Sequence, residues 1–111
     1  MRGKRVAIYC RVATKSQYSQ SVSLELQRKT AERFASAHGL RIVNYYFDAG
    51  CSGMDMDRPG FQALLAGWEQ GKFDAVLVGK LTQLGRGDYF RKKKMKFPII
   101  SISDELHICE R

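Results

Sequence analysis

The sequence predicts an α/β fold of three layers, in which a mostly parallel sheet of four or five strands carries helices on both faces. Short apolar runs alternate along the chain with segments of helical periodicity. Those runs show no polar alternation, which is typical of strands buried on both faces. The 111 residues, of which 44% are hydrophobic and 27% charged, suffice for one core but not for two. We therefore expect one domain over residues 1–111.

The first strand and the first helix are expected to form a βα unit. Residues 4–9 contain a continuous apolar run, which is followed by a polar segment. Ser21 or Ser23 is expected to cap the next helix, whose apolar residues recur at spacings near 3.6 until Gly39 ends it. Cys10 ends the first apolar run, where a free cysteine behaves as a small apolar residue.

The second βα unit has the clearest helix of the chain. Residues 40–47 are rich in β-branched and aromatic residues and predict a strand. Asp57 is expected to cap the following helix, and Gly71 to end it. The apolar face of that helix follows the spacing i, i+3, i+4, i+7 with Phe61, Leu64, Leu65 and Trp68.

Two further apolar runs complete the predicted sheet. They cover residues 73–79 and 97–103. Residues 85–96, between them, are compatible with a short helix that has little apolar face. No internal repeat and no linker interrupts this order, so the elements belong to one sheet.

The positive charge is concentrated in one segment. The chain has 19 basic and 11 acidic residues, a formal charge of +8. Residues 86–96 hold six basic residues and one acid, so their net charge is +5. A basic patch attracts polyanions, and nucleic acid is the partner that we expect, although a solvated helix face fits the run equally well. The residues expected to contact nucleic acid are Arg91, Lys92, Lys93, Lys94 and Lys96.

The sequence does not support a membrane protein, a disulfide-rich protein or a zinc protein. The longest uncharged stretch, residues 59–68, has 10 residues and is too short to cross a bilayer, and no signal-peptide core precedes it. We expect a cytoplasmic protein. The three cysteines are widely spaced and form no Cys-x-x-Cys pair, so neither a disulfide framework nor a zinc site is expected.

The carboxyl ends of the parallel strands are the expected site. Ligands of open parallel sheets bind outside these ends, where the loops after the first three strands converge. Each of those loops carries one arginine, namely Arg11, Arg58 and Arg86. Guanidinium groups match phosphate geometry, so three arginines in one crevice predict a phosphate or phosphodiester ligand.

The sequence motifs of other phosphate sites and of a calcium site are absent or incomplete. A dinucleotide fold needs Gly-x-Gly-x-x-Gly after its first strand, where this chain has Arg-Val-Ala-Thr-Lys-Ser at 11–16, and a Walker loop is absent too. Asp-Met-Asp at 55–57 is similar to the start of a calcium loop, but Pro59 and Ala66 stand at ligand positions. Receiver domains need acids after the first and third strands, where this chain has basic residues.

Five motifs resemble the N-terminal catalytic domain of the serine recombinases, the resolvase and invertase group. The family patterns are Tyr-x-Arg-Val-Ser-Thr, Ser-Leu-Glu-x-Gln, Asp-x-Gly-x-Ser-Gly, Asp-Arg-Pro-Gly and Lys-Leu-Asp-Arg-Leu-Gly-Arg. In chain order the matching segments are Tyr-Cys-Arg-Val-Ala-Thr at 9–14, Ser-Leu-Glu-Leu-Gln at 23–27, Asp-Ala-Gly-Cys-Ser-Gly at 48–53, Asp-Arg-Pro-Gly at 57–60 and Lys-Leu-Thr-Gln-Leu-Gly-Arg at 80–86. Five such motifs in this order are specific, and they run nearly end to end. The resemblance implies a resolvase-like fold.

The resemblance also implies a chemistry. In the family a serine hydroxyl attacks a DNA phosphodiester, forms a 5′-phosphoserine and releases a 3′-hydroxyl, and no nucleotide cofactor is needed. Arg11, Arg58 and Arg86 would stabilise the charge of the transition state, as a metal does elsewhere. Gln17, Gln27 and Asp48 would position the nucleophile and its neighbours.

Three departures fall on catalytic positions. The nucleophile position is Ala13, which has no hydroxyl. Thr82 stands where the family has an aspartate, and Gln83 where it has an arginine. Losing one charge-stabilising donor costs on the order of 10² to 10³ in rate, and losing a nucleophile costs more, so we expect no cleavage. The chain also stops soon after the fourth strand and is interpreted as a domain without the family's dimer helix and DNA-binding region.

Two alternatives to an inactive recombinase domain stay open. One is a non-catalytic module that binds DNA or pairs with an intact recombinase, and a homodimer is compatible with either. The other is a small phosphate-binding enzyme of unrelated chemistry, which would need a hydroxyl, carboxylate or metal site in the crevice. A fold alone does not decide between them.

Overall fold

The computed structural model describes residues 3–12, 16–50, 59–80, 98–102 and 106–108. Residues 106–108 are described by their backbone only. Seven elements follow one another in these ranges. They are β1 (Arg5–Val12), α1 (Gln17–Ala37), β2 (Arg41–Ala49), α2 (Pro59–Glu69), β3 (Ala75–Val78), β4 (Ile99–Ser101) and β5 (Leu106–Ile108). The predicted order of strands and helices is therefore confirmed in the described part of the chain.

The described strands form one sheet in the order β2-β1-β3-β4-β5. The first four are parallel, and β5 runs antiparallel to β4. This confirms the mostly parallel sheet. The interior strand β1 pairs with β2 along its whole length, from Arg5 to Val12, but its register with β3 covers only Val6 to Ile8. The carboxyl end of β1 thus extends past its pairing with β3.

The core lies on both faces of the sheet, as predicted. On one face Val6, Ile8 and Cys10 of β1 pack against Ala31 and Ala35 of α1. On the other face Ala7 and Tyr9 pack against Phe61 and Leu64 of α2. Because successive residues of a strand point to opposite faces, a continuous apolar run in β1 serves both layers.

Helix α2 has the apolar face that its sequence predicts. Phe61 and Leu64 are buried, and Leu65 and Trp68 are half-buried against the same cluster. The helix is followed by Gly71 with φ of +70°, a conformation that favours glycine, so the predicted terminator is confirmed.

Helix α1 begins earlier than expected. Its N-cap is Ser16, whose Oγ accepts a hydrogen bond from the Ser19 amide at 3.4 Å, and neither Ser21 nor Ser23 caps it. The prediction was wrong because the apolar residues of α1 that pack against the core begin at Leu24, so the first turns carry no buried periodicity to mark a helix start. Ser23 therefore lies inside the helix.

Several strand ends also differ from the sequence prediction. Strands β1 and β2 continue to Val12 and Ala49, so Arg11 and Asp48 are strand residues and not loop residues. Among the described residues of the runs at 73–79 and 97–103, strands form at Ala75–Val78 and Ile99–Ser101, while Phe73 and Ile102 pack against the core outside them. The predicted short helix at 85–96 and the predicted cap Asp57 lie outside the described residues.

Neither α1 nor α2 has the length and hydropathy of a membrane-spanning helix, and the search covered the described residues alone.

Candidate functional site

The carboxyl ends of β1 and β2 stop side by side. Arg11 and Asp48 are partners in the register of the two strands, and Val12 pairs with Ala49 one residue later. The Gly50 amide then donates to the Val12 carbonyl oxygen at 2.7 Å. The strand alternation puts Arg11 on the same face as Tyr9, which is the α2 face. One predicted arginine and the predicted carboxylate are therefore brought together.

Gln27 of α1 binds the backbone of Arg11. Its Oε1 accepts from the Arg11 amide at 3.2 Å, and its Nε2 donates to the Arg11 carbonyl oxygen at 3.0 Å. A side-chain amide thus supplies the donor and the acceptor that a neighbouring strand would supply. It does so beyond Ile8, the last residue of β1 in register with β3. Gln27 thus holds β1 at Arg11, beyond its register with β3.

Asp48 binds the start of α2. Its Oδ1 accepts from the Gly60 amide at 2.7 Å, and its Oδ2 accepts from the Phe61 amide at 2.8 Å. The side chain comes from β2, yet it pairs two amides of the first helical turn, which an N-cap residue normally does. The partial positive charge at a helix N-terminus favours such a carboxylate. Asp48 thereby fixes the backbone that directly follows Arg58 and Pro59.

Tyr9 completes this carboxylate site and was not among the predicted site residues. Its hydroxyl donates to Asp48 Oδ2 at 2.7 Å, and both residues are buried, with Asp48 only 4% exposed. A carboxylate is stable at such burial only where hydrogen bonds replace water. The available signal was a tyrosine near the end of a buried strand, because a buried phenol normally needs a polar partner.

Gly60 permits the close contact between α2 and β2. A Cβ at this position would lie 2.8 Å from the Phe47 carbonyl carbon and 2.9 Å from Asp48 Oδ2. Real Cβ atoms are not found at such distances, so any larger residue would push the helix away from the carboxylate. The glycine of the Asp-Arg-Pro-Gly motif is therefore required by packing, which the motif alone did not explain.

An ionic network flanks the site on the α1 side. Arg28 pairs with Glu25 and with Glu32, and Tyr45 of β2 donates its hydroxyl to Glu32 Oε2 at 2.6 Å. That hydrogen bond lowers the pKa of Glu32 and raises that of Tyr45.

Burial raises the pKa of the Cys10 thiol to about 12, so this thiol stays protonated near neutral pH and is a poor nucleophile.

The other predicted site residues cannot be placed. Gln17 is the first residue of α1, and its side chain lies outside what the structure describes. The remaining predicted positions also lie outside the described residues: Ala13, Arg58, Thr82, Gln83, Arg86, Arg91, Lys92, Lys93, Lys94 and Lys96. In the ranges that are described, no group of three His, Cys, Asp or Glu side chains could hold a metal ion.

An apolar stripe runs along the outer side of α1. Tyr18, Val22 and Leu26 follow one another at intervals of four residues and are 80%, 43% and 60% exposed. This spacing places them on one side of the helix, away from Ala31 and Ala35 on its buried side. Sequence reasoning did not single out this stripe, because Tyr18 and Val22 precede the buried face that predicted the helix and Leu26 lies off that face.

Comparison with known proteins identifies a family and several similar structures. The family model described as "Resolvase, N terminal domain" matches residues 6–95. The structure of the N-terminal catalytic domain of TP901-1 integrase has 35% sequence identity and a TM-score of 0.78, over 94% of this chain and 82% of that one. A resolvase family site-specific recombinase from Streptococcus pneumoniae has 28% identity and a TM-score of 0.74, over 94% and 75% of the two chains.

A third similarity is to a phage protein. The protein named "Uncharacterized immunity region protein 3" of Bacillus phage phi105 is 32% identical over 68 residues, which are 61% of this chain and 83% of that protein.

Proposed function

The chain belongs to the resolvase family, whose N-terminal domain it contains, and from that premise we propose that it binds a DNA phosphodiester without cleaving it. The observation that carries the proposal is that Gln27 fixes the backbone of Arg11. The Gln27 amide binds both backbone groups of Arg11 at the carboxyl edge of the sheet. A guanidinium whose backbone is fixed loses less conformational freedom when it binds an anion. Arg11 is thus suited to contact phosphate.

Asp48 supports the same proposal from the carboxyl end of β2. It fixes the amides of Gly60 and Phe61 at the start of α2. By resemblance, Arg58 belongs to the phosphate site, and it stands two residues before Gly60 in the sequence. Asp48 therefore fixes the first turn of α2, which follows Arg58 in the sequence. Arg86, from the third loop, would complete the set by resemblance alone.

The proposed lack of cleavage follows from Ala13. The family reaction joins a serine oxygen to phosphorus and expels the 3′-oxygen of the neighbouring nucleotide, and a methyl group has no lone pair to begin that attack. Thr82 and Gln83 remove two more groups that the resemblance assigns to the reaction. Thr14 and Ser16 are close in sequence, but side chains of adjacent residues in an extended backbone point to opposite sides, so Thr14 is not a ready substitute.

A denaturing gel tests the absence of cleavage. The unchanged protein is incubated with labelled duplex DNA, and covalent protein–DNA adducts are sought. We expect none. The variant Ala13→Ser/Thr82→Asp/Gln83→Arg restores the three family residues and is the matched comparison, in which any adduct would come from the serine. Adducts formed by the unchanged chain would contradict the proposal.

A salt series tests the binding. Neutralising a phosphate releases counterions, so the affinity of direct phosphate contacts falls steeply as salt rises. We expect such a fall with short duplex DNA, with Arg11 and the basic residues Arg91, Lys92, Lys93, Lys94 and Lys96 contributing to it. A flat response would discard direct phosphate contact. It would favour the second candidate function described below.

The proposed setting is mobile-element DNA in the cytoplasm. One relative is named for the immunity region of a Bacillus phage, and one similar structure, with 25% identity and a TM-score of 0.63, is of the first open reading frame of transposon ISC1904. We propose that this chain acts on DNA of that kind. We also propose that residues 1–111 act as one domain.

A second candidate function is pairing with an intact recombinase or with another copy. The observation that favours it is the apolar stripe of Tyr18, Val22 and Leu26, because contiguous exposed apolar groups are typical of contact surfaces. Sedimentation with a purified family recombinase would show a complex that Leu26→Glu abolishes. If Leu26→Glu changes neither the complex nor the self-association of the chain, the stripe is not a pairing surface.

A further inference from the structure

We propose that Ser23 is a positioning residue for Arg11 and that it acts through the side-chain amide of Gln27. The inference rests on the proposed function, because it concerns the arginine assigned to phosphate. Gln27 Nε2 donates to Ser23 Oγ at 3.2 Å and to the Arg11 carbonyl oxygen at 3.0 Å. Gln27 Oε1 accepts from the Arg11 amide at 3.2 Å. One side-chain amide thus joins a hydroxyl of α1 to the backbone of β1.

The geometry assigns each hydrogen of the amide to an acceptor. A primary amide nitrogen carries two hydrogens, of which Gln27 gives one to Arg11 and one to Ser23. Ser23 and Gln27 are four residues apart on α1, a spacing at which helical side chains meet. Both are half-buried, so the second hydrogen has limited access to water. The Ser23 hydroxyl satisfies it and restrains the long glutamine side chain.

This restraint matters because Gln27 makes the hydrogen bonds to Arg11 that a neighbouring strand would otherwise make. Arg11 lies three residues beyond Ile8, where the register of β1 with β3 ends. A peptide group in a strand is held by its own ladder, whereas a glutamine amide sits on three rotatable bonds. Its hydrogen bonds to Arg11 are therefore worth most when the amide is already oriented. Ser23 supplies that orientation from within α1.

Helix stability does not explain a serine at this position. Serine is a poorer helix former than alanine, since its hydroxyl competes for backbone groups. Ser23 lies in the second turn of α1 and does not cap it, because Ser16 does. Alanine at position 23 would favour the isolated helix. The cost of serine is offset by the contact with Gln27.

Two variants and a matched control test the proposal. Ser23→Ala removes the hydroxyl, Ser23→Thr keeps a hydroxyl on the same carbon, and Ser21→Ala makes the same change of helix propensity at an exposed site of α1. The readouts are hydrogen exchange of the Arg11 amide by NMR and the salt dependence of binding to duplex DNA. A structural role would instead lower the melting temperature without changing the salt dependence.

We expect Ser23→Ala to speed exchange of the Arg11 amide about three- to tenfold and to weaken DNA binding by a similar factor. Its salt slope should fall toward that of Arg11→Ala, while its melting temperature stays at or above that of Ser21→Ala. Ser23→Thr should restore both readouts. Ser21→Ala should leave both unchanged.

Two results would overturn the proposal. One is equal Arg11 exchange in Ser23→Ala and Ser21→Ala. The other is an undiminished effect of Ser23→Ala in a Gln27→Ala background, because a residue acting through Gln27 has nothing to act on there. Failure of the proposed function has a different signature. The unchanged protein would then bind no DNA, and the Arg11 amide would still report whether Ser23 orients Gln27.

Discussion

Gln27 and Asp48 both hold backbone at the carboxyl edge of the sheet, and they do so with opposite chemistry. Gln27 reaches from α1 to β1 with one acceptor and one donor, which match the two groups of a strand residue. Asp48 reaches from β2 to α2 with acceptors only, which match a helix start where amides are unpaired donors. Each of these two side chains thus has hydrogen-bonding groups complementary to the backbone that it holds.

Asp48 and Gln27 also differ in how much stability their removal should cost. Asp48 is a buried carboxylate, and its charge is offset by hydrogen bonds from described groups of three residues, Tyr9, Gly60 and Phe61. Gln27 is a half-buried neutral amide, and water can replace part of what it loses. Hydrogen bonds to charged groups are about twice as strong as neutral ones. Asp48 should therefore dominate global stability, and Gln27 local order.

The largest effect is expected for Asp48→Ala. It leaves a buried phenol and two helix amides without their acceptor, and the free energy of unfolding should fall by about 3 kcal/mol. Urea unfolding followed by circular dichroism measures this change. Asp48→Asn keeps one acceptor oxygen and should lose roughly half as much. A loss below about 1 kcal/mol for Asp48→Ala would contradict the assignment of Asp48 as the anchor of α2.

A smaller effect is expected for Gln27→Ala. Two neutral hydrogen bonds with Arg11 are lost at a partly hydrated site, so the free energy of unfolding should fall by about 1 kcal/mol. Amide hydrogen exchange should show faster opening at Arg11 while residues in register with β3, such as Ala7, stay protected. Gln27→Glu keeps the acceptor and loses the donor, so it tests the carbonyl half of the contact. Uniform loss of protection along β1 would show that Gln27 is not a local anchor.

The smallest effect is expected at the opposite edge of the sheet. Arg5 Nη2 and Asp74 Oδ1 are 3.0 Å apart at the exposed amino end of β1, and hydrogen bonds from Arg5 lower the pKa of Asp74. A lowered carboxyl pKa stabilises the fold above the ordinary value of about 3.9 and ceases to do so as pH falls through the folded-state pKa. The difference in melting temperature between the unchanged protein and Asp74→Asn should shrink as pH falls below about 4 and vanish below the folded-state pKa of Asp74. A gap that persists at lower pH would contradict this.

The sequence predicts the sheet and α2 well because these parts depend on apolar periodicity. Phe61, Leu64, Leu65 and Trp68 pack as their spacing requires. The start of α1 escaped prediction because its first turns lie outside the core and are set by the Ser16 cap instead. A prediction from the buried apolar face alone misses helical turns whose apolar residues, such as Tyr18 and Val22, are exposed.

The site is less predictable because its contacts join distant residues. The motifs point to Gln27 and Asp48, and the resemblance assigns them to positioning the nucleophile and its neighbours. Only the structure shows that one binds β1 and the other α2, since these contacts span 16, 12 and 13 residues of sequence. Tyr9 escaped prediction for a related reason, because its hydroxyl meets a carboxylate 39 residues away.

We expect the carboxyl end of β1 to contact DNA phosphate, and one strand supplies both the probe and its control. Arg11→Ala and Arg5→Ala remove the same charge from opposite ends of β1. The measurement is the slope of log affinity against log salt for short duplex DNA. Loss of one phosphate contact should reduce the slope by about 1 for Arg11→Ala and leave it unchanged for Arg5→Ala. Equal slopes for the two variants, or an unchanged slope for Arg11→Ala, would contradict the account.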